Sequence, residues 1–225
     1  CTFTKWTNLQ LSYIMTKQAS KYFWLQIGRL LFFSSLFLGC NTNEVDTKTK
    51  QVFRYNEHKN IGSLDPAFAK DNADISAINQ LFNGLVQMDT LMNVVPAIAS
   101  SWEISENAKT YTFNLRKDVY FHTHSLFGTN QTRTVTANDF AYSFDRLKDP
   151  KLASPGGWVL QNVESYTALD AQRFQITLKS PFPAFLGLLT MKYCSVVPKE
   201  IVEHYGADFR SNPIGTGPYK FKRWE

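Results

Sequence analysis

At 225 residues the chain has room for one or two domains, and 24 basic against 19 acidic residues give it a net charge of +5. Four positive residues, Lys5, Lys17, Lys21 and Arg29, precede Cys40 with no acid among them, so the body of the chain is nearly neutral and carries no basic stripe for nucleic acid. Its three cysteines exclude a disulfide framework.

The first element is a leader. Residues 1–14 lie upstream of a plausible initiator, Met15, and read as a non-native upstream segment. Residues 15–39 combine the charges of Lys17, Lys21 and Arg29 with the apolar run Leu30–Leu38 and a small Gly39, the layout of a secretory signal. That run falls short of the roughly 20 apolar residues needed to span a bilayer. Leu38-Gly39-Cys40 resembles a bacterial lipobox, which makes Cys40 the expected site of lipidation; a stray leader cysteine is the alternative. Residues 40–50 are polar, without aromatics, and read as a flexible tether.

Beyond the tether, Gln51–Tyr55 reads as a strand. Asp74 is placed to cap a helix that buries Ile75, Ile78, Leu81 and Phe82 and stops at Gly84. Leu85–Met88 and Val94–Pro96 flank a turn at Asp89–Asn93. After a turn at Glu106-Asn107, Tyr111, Phe113 and Leu115 alternate along one strand face. Thr136 followed three residues later by Asp139 is close to a capping box, and Phe140, Phe144 and Leu147 then recur at helical spacing. A Pro- and Gly-containing loop, 148–158, precedes an alternating strand at Phe174–Leu178. Pro181 and Pro183 lead into a short helix over Ala184–Thr190. Tyr193–Val197 reads as a buried strand containing Cys194 as a structural thiol, and Pro198–Tyr205 as a helix. Gly215-Thr216-Gly217-Pro218 is a turn returning to a strand at Tyr219–Trp224.

Little of this is catalytic chemistry. Gly215-Thr216-Gly217 lacks the following Gly-Lys-Ser/Thr of a phosphate loop. His122 and His124 would share a strand face, but two ligands with no nearby Cys or acid close no metal site. Glu103, Glu106, Asp139 and Asp145 are accounted for as surface, turn or cap residues. No activated nucleophile is present, so neither a catalytic residue nor a cofactor is expected, and a hydrolase would need machinery outside this chain.

The order of motifs carries more. Ser63-Leu64-Asp65-Pro66, Leu81-Phe82-Asn83-Gly84-Leu85, Ser101-Trp102-Glu103, Tyr111–Arg116, Phe121-His122, Thr136-Ala137-Asn138-Asp139, Ser143 with Arg146, and Pro213–Tyr219 follow one another from Val52 to Trp224. Together they resemble the solute-binding proteins of peptide ABC transporters, the oligopeptide- and dipeptide-binding family. One departure is the longer loop after Phe121-His122, Thr123–Arg133, where the family has Asp-Gly.

The resemblance implies an α/β chain: the N-terminal part of a two-lobed periplasmic-binding-protein-like fold with an inserted small α+β domain. Residues 51–82 and 206–225 would belong to an incomplete first lobe and residues 83–205 to the insertion. Family members are much longer, so the chain is expected to be an N-terminal fragment. The implied function is a lipid-anchored binding component of the cell envelope or periplasm that takes a peptide between two lobes and hands it to ABC permease subunits. Lys70, Asp71 and Asn72 would lie along the cleft. Ser154, Pro155, Gly156 and Trp158 would reach the peptide from the facing loop, with packing as the alternative role for Trp158. The same fold binding a metal chelate, haem or oligosaccharide, or serving a hydrolase or sensor subunit, is the other reading.

Overall fold

The computed structural model describes residues 54–224, so the expected signal, Cys40, the expected tether and residues 51–53 lie outside the described residues. Arg54 and Tyr55 adopt no strand. Asp65 caps a single 3-10 turn, Pro66–Phe68, by accepting the Ala67 N–H at 3.0 Å. Helix α1 follows at Asn72–Leu81 and buries Ile78 and Leu81. Its N-cap is Asp71, one turn ahead of the expected Asp74. Asp74 is instead 1% exposed, and its Oδ1 accepts the N–H groups of Gly62 (2.7 Å) and Ser63 (3.3 Å). The incoming chain needs those two donors satisfied, and that demand outranks the cap.

Strands β1 (Val86–Met88) and β2 (Val94–Pro96) form an antiparallel hairpin around the expected turn. Asp89 accepts the Leu91 and Asn93 N–H groups, each at 2.8 Å, and so fixes its tip.

The main sheet holds β3 (Ala99–Ile104), β4 (Thr110–Leu115), β5 (Val163–Ala168) and β6 (Arg173–Leu178) in the order β3-β4-β6-β5, every pair antiparallel. Tyr111, Phe113 and Leu115 of β4 and Phe174, Ile176 and Leu178 of β6 alternate onto the buried face. The period of two that is legible in the sequence is therefore the period of burial. Helix α2 (Ala137–Lys148) lays Phe140, Phe144 and Leu147 on that face. Phe174 stands 5.8 Å from Phe140 and 5.5 Å from Phe144, ring centre to ring centre. Such contacts add to the area term, which for a fully buried Phe contributes about 1.5–3 kcal/mol.

The α2 N-terminus is built as expected: Asp139 Oδ2 accepts the Thr136 N–H at 2.8 Å and the Thr136 hydroxyl at 2.9 Å. The same carboxylate takes a fork from Arg133 (2.9 and 2.7 Å), whose Nε and second Nη reach Glu200 of helix α4 (Lys199–Tyr205). Burial works against the Arg133 charge, but the hydrogen bonds to Glu200 and Asp139 outweigh it and hold its pKa well above the ordinary value.

Helix α3, Phe185–Leu189, is shorter by one residue at each end than the expected segment. Tyr193–Val197 is not a strand. Lys192–Cys194 is a 3-10 turn, and residues 195–197 run extended without a ladder. Their donors are met singly, Val196 N–H by Asn83 O and Val197 N–H by Ser143 Oγ, both at 3.0 Å. Apolar β-branched residues signalled burial there, and burial alone does not supply a strand neighbour. Cys194 is buried as expected, and burial pushes its thiol up to about 12.

Tyr219–Trp224 likewise forms no strand. The turn before it packs on the end of α1. Gly217 and Tyr219 donate their N–H groups to Leu81 O (2.8 Å) and Gln80 O (3.0 Å), meeting carbonyls that a helix end leaves open. A Cβ on Gly215 would come within 2.0 Å of Leu81 O, so the Gly-Thr-Gly motif serves close approach to backbone. Asn56–Glu225 form one compact unit, with a hydrophobic cluster running from Leu64 to Ile214.

Candidate functional site

One segment selected from the sequence meets the turn that precedes the other. Ser154 Oγ donates to Ala67 O at 2.6 Å across 87 positions of sequence. Below that contact, Arg146 makes a two-pronged ion pair with Asp65 (3.1 and 2.6 Å), the side chains 11% and 5% exposed. Asp65 thus caps one loop with the same carboxylate that ties it to α2. Removing one partner of such a buried pair costs about 3–5 kcal/mol, because the other charge is left uncompensated.

The loop carrying Ser154 is set by close packing. Gly156 is buried against Tyr193, where a Cβ would stand 2.4 Å from the ring. Ala153 sits at φ 50°, in the left-handed region that disfavours a Cβ. Ser154 Oγ also accepts the Gly156 N–H at 3.1 Å. Trp158, in the 3-10 turn Gly157–Leu160, is 46% exposed, which leaves part of its surface open to solvent. Pro155 is exposed as well.

On the facing segment Lys70 and Asn72 are exposed, and Asp71 pairs with Lys59 at 3.0 Å. Both side chains of that pair are largely solvated, so it contributes little to stability. Beside Lys70 opens a cavity of about 610 Å³, within the usual size range of small-molecule sites. Asp65, Phe68, Lys70, Asp74, Arg146 and Leu152 supply much of its wall, with Gly206, Ala207, Asp208 and Arg210. Of the seven residues expected to touch ligand, Lys70 lines this cavity, whereas Asp71, Asn72, Ser154, Pro155, Gly156 and Trp158 do not.

The cavity's two buried carboxylates, Asp65 and Asp74, had no chemical role in the sequence reading. Asp65 is an acid inside an otherwise apolar or small-residue stretch, Asp74 is an acid on the buried side of α1, and Arg146 is a cation beside Phe144 and Leu147 on α2. That mismatch of charge and context was the available signal.

The two histidines diverge. His122 Nε2 donates to Gly217 O at 2.8 Å, since a carbonyl can only accept. His124 Nδ1 accepts the Leu126 N–H at 3.2 Å, which leaves its proton on Nε2, 3.1 Å from Tyr205 Oη. Burial lowers both pKa values, and Lys220 adds to the effect at each. Among the described residues no three His, Cys, Asp or Glu side chains gather as a metal site.

Known proteins share this architecture. Residues 93–225 match the bacterial extracellular solute-binding proteins, family 5, in the middle region of that family. The periplasmic oligopeptide-binding protein OppA of Salmonella typhimurium is 33% identical over 199 residues, which cover 80% of this chain and 35% of OppA. Among solved structures, the periplasmic binding protein DppA of Helicobacter pylori in complex with the peptide STSA superposes with a TM-score of 0.65 at 31% identity. That match covers 72% of this chain and 35% of DppA. NikZ of Campylobacter jejuni in complex with Ni(L-His) gives 0.64 at 34% identity, covering 74% of this chain and 32% of NikZ. The chain spans about a third of the length of these relatives. It belongs to the family 5 bacterial extracellular solute-binding proteins, a family of transport binding proteins and not of enzymes.

Proposed function

We propose that the chain forms part of the solute-binding component of an ABC importer, which captures peptides between two lobes and delivers them to membrane permease subunits. In this reading residues 51–82 and 206–225 belong to the first lobe and 83–205 to a domain inserted into it. Lys70, Asp71 and Asn72 lie along the cleft, and Ser154, Pro155, Gly156 and Trp158 form the loop that reaches the peptide. Cys40 carries the lipid that holds the protein at the membrane.

The observation that supports this most directly is the Ser154 Oγ–Ala67 O hydrogen bond, which ties the 154–158 loop to the turn three residues before Lys70, with Lys70 and Trp158 exposed. Closure of a second lobe over that face would bury the ligand, and backbone hydrogen bonds would give sequence-tolerant affinity. Peptides carrying a photoreactive group test it. Cross-links to the longer protein should map to residues 70–72 and 154–158, and cross-links confined to other surfaces would overturn the reading. Anchoring is tested separately: labelled fatty acid should enter the protein in a bacterial host and be absent from Cys40→Ser, since several acyl chains make a stable anchor.

A second reading, the same fold holding a metal chelate, draws support from the likeness to NikZ with its Ni(L-His). Native mass spectrometry of co-purifying solute separates the two.

A further inference from the structure

The loop by which this chain departs from the family pattern, residues 123–133, is fastened to two other parts of the molecule. It carries the 3-10 turn Ser125–Asn130, closed at its base by the His124 N–H on Gln131 O at 2.7 Å. His124 stands at the junction. Its Nδ1 accepts the Leu126 N–H, and its Nε2–H donates at 3.1 Å to Oη of Tyr205, the last residue of α4. The two rings meet edge to face at 5.8 Å. On the other side Lys220 Nζ donates to Thr123 O at 2.9 Å and to the Thr123 hydroxyl. Leu126 itself is exposed, so apolar burial does little to hold the turn.

The groups that act on His124 are of one sign. From α4 comes His204, whose ring lies 4.8 Å from that of Tyr205, and from the 217–220 segment comes Lys220. Arg133 sits over the Phe127 ring but is closed on Asp139 and Glu200, and Glu203 of α4 pairs with Lys199. None of these acids pairs with His124, so burial, His204 and Lys220 all oppose a proton there. A proton that does enter goes to Nδ1 and aims a donor at the Leu126 N–H, donor against donor. His122 differs, because a second proton at its Nδ1 leaves the Nε2–H bond to Gly217 O in place.

We infer that His124 is a proton-operated clasp: neutral, it fastens the 123–133 loop to Tyr205, and protonated, it lets go of Leu126 and Tyr205 and so loosens the 206–210 segment of the cavity wall. The chain of contacts is short. Tyr205 directly precedes Gly206, and Gly206, Ala207, Asp208 and Arg210 all line the cavity. Once charged, the imidazole is repelled by its donor neighbour and by the positive groups beside it, and either the ring or the turn has to move. Both movements end the arrangement in which one ring holds Leu126 and Tyr205 together. The clasp works in the same way whatever solute the cavity takes.

The isotope-labelled full chain is titrated from about pH 8 to about pH 4, with the His124 ring and the backbone amides read by NMR. The ring should titrate below the ordinary value of 6.5. The Leu126 amide should shift with the same midpoint and lose exchange protection by about tenfold or more, the worth of one hydrogen bond. The Gly206, Ala207 and Asp208 amides should follow that midpoint while the β4–β6 ladder stays unchanged. His124→Asn keeps an acceptor for the Leu126 N–H, because Asn bonds the backbone two residues on, but takes up no proton. In that variant the Leu126 amide should stay fixed across the range, and the 206–208 amides should hold their acid-form positions throughout. Tyr205→Phe keeps the ring and removes the oxygen, so Leu126 should still titrate and the 206–208 amides should no longer follow. A His124 ring that stays neutral down to about pH 4 overturns the inference, and so does a Leu126 titration that survives in His124→Asn. A response of the 206–208 amides that survives in Tyr205→Phe overturns the link to the cavity wall.

Discussion

Between Ala99 and Leu178 the chain is held by area: strands alternate onto one face, and α2 covers them with Phe140 and Phe144 against Phe174. In residues 62–74 and 153–158 the ties are single polar contacts: Asp74 on two backbone N–H groups, Asp65 on Arg146 of α2, Ser154 on Ala67. The first region spreads its stability over many contacts. The second concentrates it in a few bonds, one of which, Ser154 on Ala67, holds a residue proposed to touch ligand. A binding face made this way can present exposed groups in fixed places without burying them, which a packed sheet face cannot do.

The contrast can be broken from the side of the sheet. Phe174→Ala should have the largest effect, a loss of about 3–5 kcal/mol, because its ring contacts Phe140, Phe144 and Tyr166 at once and no neighbour can collapse into the gap. Chemical denaturation reads it as a lower midpoint with an unchanged slope. Arg146→Met comes next, at about 3 kcal/mol, since it strands Asp65 inside the fold. Hydrogen exchange should show the Ala67 amide, held by Asp65 Oδ1, losing protection ahead of the β4–β6 ladder. Uniform loss across both would deny the distinction between the regions.

Gly156→Ala sharpens it further. A Cβ 2.4 Å from the Tyr193 ring forces the loop to shift at a cost of about 1–3 kcal/mol, and peptide binding should fall with little change in the sheet. A chain unaltered in both stability and binding would show that the approach is not required.

Acid should have the smallest effect. Burial depresses the His122 and His124 pKa values below 6.5, so the unfolded chain binds more protons once pH drops below that value. Stability is complete above about pH 6.5 and declines as pH falls toward the folded-state pKa values. Protonating His124 Nδ1 also removes the acceptor for Leu126 N–H, so the 125–130 turn should loosen first. Thermal melts across that window, compared with His124→Gln, read the change.

The legible part of the fold was the part with a period. Tyr111/Phe113/Leu115 and Phe140/Phe144/Leu147 announce their elements because burial repeats every second residue or every turn. Val196 and Val197 show the limit: they are as buried as any strand, yet their N–H groups go to Asn83 and Ser143, partners distant in sequence that no periodicity encodes. The site was legible to the same degree. The motifs pointed to the 70–72 and 154–158 loops, while the meeting of Asp65, Asp74, Arg146 and Arg210 around one cavity follows only from the folded chain.

The central claim is that the Ser154–Trp158 loop and the Lys70–Asn72 segment form one ligand-contacting face. Trp158 tests it most directly, because its ring is exposed and its loss should leave the core intact. Calorimetry on the longer protein and its Trp158→Ala variant, with one peptide, should show binding weakened by about 1 kcal/mol or more at an unchanged melting temperature. Equal affinities with a lowered melting temperature would contradict the account and make Trp158 a packing residue.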